Sequence, residues 1–394
     1  MEKTISRPES DYQSCAAALK AKLAQLPTPA QKRLTYLTIT DIHCEEPEAW
    51  ESISRQLTQI VELSRDCHPD FIYVGGDLLR GRNPYPEIGS KQNNLSYVRR
   101  MADILRDAAA PVFFAFGNHD DNAHHWEDDT RRNTTCPIGD IITKREFCEI
   151  CIDPLARVVH DTQNPLSCYY YYDIPGKKTR VVVLDTTDYP LTNQSDPRYA
   201  DRGGRTELRV SARQITWLCE EALTVREEGW SYVILSHVPL SVDFMGAPTQ
   251  VAAYGTWVWD ILCALNNRTV YVRENAPMTC GDGKEFLTVH ADFSDFSSRV
   301  VLHHFGHVHF DAATMVDGIA CVCTANAWCE NYTAKTIPAP KNAALENYRF
   351  YDGRRLGDLS EALLDVCALV PGEVWYRFRF GTGEDTRLPR KKPE

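Results

Sequence analysis

The chain has 394 residues, of which 43% are hydrophobic and 25% charged, and this composition excludes a globally disordered or collagen-like protein. Its 43 basic and 54 acidic residues give a net charge of −11, which disfavours nucleic acid as a partner. Because no apolar run is long enough to span a membrane and no secretory leader is recognisable, we expect a cytoplasmic protein with no membrane partner.

The 14 cysteines are scattered from Cys15 to Cys367 without the dense spacing of a small disulfide scaffold. We therefore expect them to be mostly reduced. Cys148 and Cys151 have the spacing of half a zinc site or of a redox pair, but core packing is the alternative for both.

In chain order, strands alternate with helices. A helix is predicted at 11–25, outside the core. Strands are predicted at 34–40, 71–74, 112–116, 181–184, 232–235 and 300–302, and amphipathic helices at 48–66, at 95–109 and from a capping box at Ser211. Nearly continuous apolar strands alternating with amphipathic helices favour a layered α/β fold with buried sheets.

Three segments depart from this rhythm, and a further strand follows the third. Residues 121–165 and 240–295 are predicted insertions, the second with a helical stretch near 251–265. Residues 330–370 are interpreted as a connector plus a helix. Residues 374–380 alternate as a strand, with Trp375, Arg377 and Arg379 on one face.

Potential metal ligands follow five of the predicted strands. They are Asp41, His43, Asp77, Asn118, His237, His307 and His309, and His119 lies among them. In an α/β sheet these strand ends form the ligand crevice. Imidazole, carboxylate and amide ligands together suit Mn, Fe, Zn, Ni or Co, and this many ligands suit two ions with one carboxylate between them.

The motifs DIH at 41–43, GD at 76–77, GNHD at 117–120, the single His237 and GHVH at 306–309 resemble, in order and spacing, the five blocks of the calcineurin-like metallophosphoesterase superfamily. The resemblance covers 34–325. It implies an α/β protein, a four-layer α/β/β/α sandwich of two central mixed sheets flanked by helices. The remaining segments would be an N-terminal helical extension at 1–33 and a C-terminal accessory strand region at 326–394.

The resemblance also implies the roles of these residues. One metal would take Asp41, His43 and His309, the other Asn118, His237 and His307, and Asp77 would bridge both. The cofactors would be two divalent transition-metal ions, Mn, Fe, Zn or Ni, with a bridging hydroxide that attacks phosphorus in line. His119 would face the leaving group as a proton donor, and Asp120 would either orient His119 or cap a loop.

The chain departs from the Ser/Thr protein phosphatase branch, which reads GDxxDRG and GNHE. Here Arg80 replaces the second acid, and the fourth residue of GNHD is Asp120. Arg80 would bind a substrate phosphate or pair with an acid of the 121–130 loop. The tail RFGTGEDTR at 379–387 is similar to the ending of some bacterial metallophosphoesterases.

We therefore predict a metal-dependent phosphoric ester hydrolase acting on a small or medium phosphate ester, with a lean toward phosphodiesters. The insertions at 121–165 and 240–295 would set substrate choice. A nuclease of the same superfamily is one alternative, and it would need a basic track beside the metals. A scaffold that kept the fold and lost catalysis is the other. His303 and His304 would pack beneath the site or support a ligand.

Overall fold

The computed structural model describes residues 9–44, 47–81, 90–122, 139, 141–165, 167–188, 208–246, 251–280, 283–328, 348–349, 351, 354–371 and 373–389. The strands are β1 (Leu34–Ile39), β2 (Phe71–Val74), β3 (Val112–Phe114), β4 (Val159–His160), β5 (Tyr170–Ile174), β6 (Thr179–Leu184), β7 (Ser231–Ser236), β8 (Val270–Cys280), β9 (Gly283–Asp292), β10 (Arg299–Phe305), β11 (Ala312–Val316), β12 (Ile319–Cys323), β13 (Leu363–Val370), β14 (Val374–Gly381) and β15 (Thr386–Pro389). The α-helices are α1 (Glu9–Ala24), α2 (Pro47–Cys67), α3 (Lys91–Arg106), α4 (Lys144–Cys151), α5 (Ala212–Trp217), α6 (Val242–Met245) and α7 (Gly255–Asn267). Short 3₁₀ turns lie at Ala30–Lys32, Pro175–Lys177 and Leu359–Glu361, and a π turn at Leu218–Ala222 extends α5.

The strands form two large mixed sheets flanked by helices, which confirms the predicted four-layer α/β/β/α sandwich. The first sheet has the order β15-β14-β13-β1-β2-β3, and the second has the order β11-β12-β10-β7-β6-β5-β4. Strands β1, β2 and β3 are parallel to one another, as are β6, β7, β10 and β12. Strands β8 and β9 form a separate hairpin.

Strand β6 shows why both faces of the second sheet are apolar. Val181 and Val183 belong to the core shared with the first sheet, whereas Val182 and Leu184 belong to a second core that includes residues of α5 and α7. Side chains alternate along a strand, so a strand covered on both sides needs an unbroken apolar run.

Helix α2 was predicted closely, because its apolar residues recur at helical spacing. Ile53, Leu57 and Ile60 are buried in the core. At the start of α5, the hydroxyl of Ser211 accepts a hydrogen bond from the amide of Gln214 at 3.1 Å, but the Gln214 side chain contacts Asp185 instead of completing a capping box.

The predicted helix within 330–370 is wrong for its C-terminal part. Residues Leu363–Val370 form β13, which is buried along its whole length and pairs antiparallel with β1. A short continuous apolar run has the same appearance in a buried strand and in a buried helix, so periodicity alone does not separate them.

The two predicted insertions contain ordered elements. Helix α4 lies within 121–165, and the hairpin β8–β9 lies within 240–295. The division into 1–33, 34–325 and 326–394 stays a prediction, although β13, β14 and β15 extend the first sheet beside β1.

Within the described ranges, no helix is both long enough and apolar enough to cross a membrane. The cytoplasmic location stays a prediction.

Candidate metal centre

The sequence-predicted ligands lie in loops that follow β1, β2, β3, β7 and β10. Neighbouring strands in this set are parallel, so their carboxyl ends lie along one edge of each sheet. Backbone hydrogen bonds join the loops to one another. The amide of Asp41 donates to the carbonyl of Gly76 at 3.0 Å, and the amide of Gly306 donates to the carbonyl of His237 at 3.0 Å.

Five of the proposed ligands have a left-handed backbone. Their φ angles are 52° at Asp41, 50° at His43, 51° at Asp77, 70° at His307 and 56° at His309. Positive φ is uncommon outside glycine, and such strained positions are typical of sites whose surroundings fix them. This conformation turns the backbone sharply at the end of each of these strands.

Two glycines leave room for the carboxylates. A Cβ at Gly117 would lie 2.2 Å from Asp77 Oδ1, and a Cβ at Gly306 would lie 2.4 Å from Asp41 Oδ2. Any larger residue would displace a carboxylate. The glycines of the GNHD and GHVH motifs therefore allow close approach of backbone and ligand.

One group of donors comprises Asp41, His43, Asp77 and His309, with one ligand atom of each lying within 4.8 Å of the others. His309 Nε2 lies 3.2 Å from Asp41 Oδ1 and 3.0 Å from His43 Nε2. The Thr40 hydroxyl donates to Asp41 Oδ2 at 2.7 Å and orients that carboxylate.

A second group comprises Asp77, His237 and His307, under the same distance limit. His237 Nε2 lies 3.1 Å from Asp77 Oδ2 and 3.1 Å from Asn118 Oδ1. His237 Nδ1 donates to the carbonyl of Gly75 at 2.7 Å, because a carbonyl can only accept. That bond points Nε2 toward Asp77 and Asn118, as expected for a metal ligand.

The electrostatics fit a pair of cations. Burial lowers the pKa of His43 and of His307 to about 4, so both imidazoles are neutral at pH 7. Burial would also lower the pKa of His237, but the carboxylates of Asp77 and Asp41 raise it to about 9. Burial opposes ionisation of Asp77, yet the neighbouring histidines keep its pKa well below the usual range. Two buried carboxylates beside the neutral imidazoles of His43 and His307 are donors suited to divalent transition metals, and His237 could join them only by losing its proton from Nε2.

His119 lies beside this centre. Its Nδ1 donates to the carbonyl of Arg80, and its Nε2 lies 3.7 Å from Asp77 Oδ2. Its backbone amide donates to Asp77 Oδ1 at 2.9 Å. The ring therefore presents Nε2 to the centre, at a position where a substrate oxygen could accept a proton.

Asp120 is fully buried, and both carboxylate oxygens accept backbone amides. Oδ1 accepts from Leu79 at 3.1 Å and Oδ2 from Gly117 at 2.8 Å. Burial and the charge of Asp77 raise the pKa of Asp120 to about 7. These two bonds cap the loops at Leu79 and Gly117, and the orientation of His119 by Asp120 stays a prediction.

Arg80 is half-buried, and its guanidinium carbon lies 4.6 Å from the centre of the Trp328 ring. Trp328 also packs against His43, with ring centres 5.6 Å apart. Trp328 escaped the sequence analysis because it belongs to none of the five motifs. Of the acids in the 121–130 loop, the alternative partners for Arg80, Asp121 is described and buried, and the others lie outside the described residues.

His303 and His304 are buried behind the centre. The Thr324 hydroxyl donates its proton to Asp365 Oδ2 at 2.9 Å, so it must accept from His304 Nε2, and Nδ1 of the neutral His304 ring accepts from the Tyr36 hydroxyl at 2.9 Å. His304 Nε2 then donates to Thr324 at 2.8 Å. His303 Nε2 is 2.9 Å from the Ser236 hydroxyl, one residue before His237. These contacts support neighbouring backbone, and they agree with packing beneath the site.

Cys148 and Cys151 take the core-packing alternative of the sequence analysis, since both are free and buried in the core. Cys148 Sγ lies 3.0 Å from Cys168 Sγ, whereas Cys148 and Cys151 both bury their side chains on α4. Neither belongs to a metal-ligand cluster among the residues described.

Comparisons with known proteins agree with this architecture. The family model described as calcineurin-like phosphoesterase matches residues 34–311. A dimetal phosphatase from Danio rerio is 13% identical, with 91% of this chain and 99% of that chain covered and a TM-score of 0.55. The purple acid phosphatase PPD1 from yellow lupin (Lupinus luteus) seeds is 11% identical, with 92% and 55% covered and a TM-score of 0.41. No curated protein matches the chain.

Proposed function

Because the chain belongs to the calcineurin-like phosphoesterase family, we propose that it is a dinuclear metal-dependent hydrolase of phosphate esters, with a preference for phosphodiesters. The observation that carries the proposal is the position of Asp77, which belongs to both donor groups. A carboxylate can direct one oxygen or one lone pair toward each of two cations. A structural site for a single metal ion would not need a carboxylate that two groups of donors share.

In this proposal, Asp41, His43 and His309 would bind one cation, and Asn118, His237 and His307 the other. When bound, the two cations would lower the pKa of water to produce a nucleophile and would neutralise phosphate charge. The side chains must therefore be deprotonated at the ligating atoms. The low pKa values of His43 and His307 satisfy that condition in neutral solution, whereas His237, with a pKa of about 9, would release a proton when a cation binds.

The residues around the centre have separate tasks in the reaction. His119, as an imidazolium protonated at both nitrogens, would donate the Nε2 proton to the leaving-group oxygen, while its Nδ1 proton stays on the bond to the Arg80 carbonyl that fixes the ring. The Arg80 guanidinium, supported on Trp328, would bind a nonbridging phosphate oxygen. The preference for diesters is supported by the absence of the GDxxDRG motif, since Arg80 replaces its second acid.

The test is hydrolysis of bis(p-nitrophenyl) phosphate and p-nitrophenyl phosphate by metal-stripped protein supplied separately with Mn, Zn, Ni or Fe. We expect no activity without metal, two ions bound per chain, and faster turnover of the diester. Metal-independent turnover would refute the proposed reaction, and faster turnover of the monoester would refute the substrate preference.

A further inference from the structure

A cluster of buried charges joins β14 to the loop that follows β10. It consists of Arg377 and Arg379 on β14, Asp365 on β13 and Asp311 at the end of the loop. Their exposed fractions are 3%, 7%, 1% and 1%. Strands β13 and β14 belong to the first sheet and the loop after β10 to the second, so the cluster connects the two sheets.

Both arginines contact Asp311. Arg379 Nη2 donates to Asp311 Oδ2 at 2.6 Å, and Arg377 Nη1 lies 2.9 Å from Asp311 Oδ1. Arg379 Nε also lies 2.8 Å from Asp365 Oδ1. One guanidinium therefore donates a hydrogen bond to the Asp311 carboxylate from the opposite sheet, and a second, from the next inward position of the same strand, forms an ion pair with it.

Such a cluster is not explained by stability alone. Burying an ion costs several kcal/mol of desolvation free energy. Replacing a buried ion pair by well-packed apolar residues often leaves the free energy of unfolding unchanged or raises it. The charged groups instead constrain position, because a guanidinium fixes both the distance and the plane of the carboxylate that it binds. The cluster is thus suited to fixing the position of Asp311.

Asp311 lies two residues after His309, whose φ of 56° must be maintained by its surroundings. Asp311 Oδ1 also accepts the amide of Ala325 at 2.8 Å. Further along the same loop, the amide of Trp328 donates to the carbonyl of Asp41 at 3.1 Å. One carboxylate therefore anchors the loop of His309 and the loop that packs Trp328 against the centre.

We propose that Arg377 and Arg379 are positioning residues that act through Asp311 to hold His309 toward Asp41 and His43. The inference rests on the proposed metal centre. Both arginines lie beyond residues 34–311, the part of the chain that the family model matches. The C-terminal segment would then help to fix the positions of metal ligands that all come from the matched region.

The test uses Arg379→Lys, which keeps the charge but loses the planar fork, and Asp311→Asn, which keeps the shape but loses the charge. Arg180→Lys is the matched control, because Arg180 is equally buried at 7% and binds Asp173 through two bonds of 2.7 and 2.8 Å. Mn²⁺ is titrated into each stripped protein and free Mn²⁺ is measured by electron paramagnetic resonance. Near-ultraviolet circular dichroism reports the fold, and urea unfolding of the metal-free proteins reports stability.

We expect one of the two Mn²⁺ ions to bind about 10–100-fold more weakly in Arg379→Lys and in Asp311→Asn, as for other supports of metal ligands. The second ion should bind as in wild type, and Arg180→Lys should lose stability without losing affinity. Affinity for both ions equal to wild type in a folded variant would overturn the inference. So would an equal loss in Arg180→Lys, or failure of both test variants to fold. Fewer than two ions in wild type would instead refute the proposed metal centre.

Discussion

At the scale of single residues, Asp77 must serve two sets of partners at once, because it belongs to both donor groups. Its Oδ2 lies 3.1 Å from His237 Nε2 and 3.8 Å from His43 Nε2, so it faces both donor groups. Its Oδ1 accepts the amide of His119, which fixes the carboxylate plane. In the proposal, each of the other ligands would bind one cation.

Asp77→Asn should therefore reduce metal content and activity more than any other single ligand change. The amide keeps the shape but removes the charge that balances two cations. Metal content is measured after dialysis and activity with the diester, with Asp317→Asn in an exposed turn as the control. Two bound ions with near-normal turnover would show that Asp77 does not bridge.

His119→Asn should keep both ions and lower kcat by about 10²–10⁴-fold, the usual contribution of a positioned proton donor. The loss should shrink as the leaving group becomes more acidic, because a good leaving group needs no proton. A series of aryl phosphodiesters measures this dependence. An equal loss across the series would assign His119 to phosphate binding.

His304 should make stability depend on pH. Burial lowers its pKa from 6.5 to about 3. Between those values the unfolded chain binds a proton that the folded chain excludes, so the free energy of unfolding falls as pH falls, by at most about 1.4 kcal/mol per unit for this group. His304→Gln should flatten the slope between pH 6 and 4 in urea unfolding of stripped protein. The control is His290→Gln at an exposed position, which should keep the wild-type slope. If His304→Gln also kept the wild-type slope, burial of neutral His304 would not be the cause of the pH dependence.

At the scale of elements, α4 divides the 121–165 insertion into two parts. Thr143 and Glu146 form a capping box at its start, and Phe147 and Ile150 are buried in the core. Lys144 Nζ lies 2.6 Å from Asp185 Oδ2 at the end of β6. The second part of the insertion thus belongs to the core, while residues 123–138 lie outside the described ranges.

Replacing residues 124–136 by a short glycine linker should leave two ions bound, since no proposed ligand lies there. Turnover of the activated diester should survive, and selectivity among natural esters should broaden, because this segment follows Asn118 and His119 directly. Metal content, turnover and selectivity are measured in the variant, with urea unfolding as the control for the fold. Loss of an ion would place His124 or His125 in the centre.

At the scale of the whole molecule, the C-terminal strands complete the first sheet. Strand β13 lies between β1 and β14, and Leu34 to Thr38 of β1 pair with Leu369 to Asp365 of β13. Without β13, the buried strand β1 would become an edge with unpaired amides and carbonyls.

Removing all residues from 354 onward should therefore abolish cooperative thermal unfolding, measured by circular dichroism of the stripped protein. Removing residues from 386 onward is the control. Of the described residues it deletes only those of the edge strand β15, which are half-buried or exposed, and it should retain a cooperative transition. A cooperative transition in the shorter chain would show that the sheet tolerates the loss of β13.

The parts of this protein that could be predicted are those encoded locally. The apolar spacing of α2 and the unbroken apolar run of β6 each reflect the environment of one element. The motifs around Asp41, Asp77 and Asn118 follow strands directly, so their placement at one sheet edge needs only parallel pairing. Fold class, family and candidate ligands were accessible for that reason.

Tertiary structure decided the contacts between segments that are distant in the chain. No periodic signal in any one segment indicates the strand at 363–370, the contact between the free thiols of Cys148 and Cys168, the packing of Trp328 on His43 or the hydrogen bond from Arg379 to Asp311. Each depends on which surfaces meet when the two sheets pack. The packing of many residues together decides which side chains meet across that interface. By contrast, a few residues adjacent in the sequence decide whether a segment forms a helix or a strand.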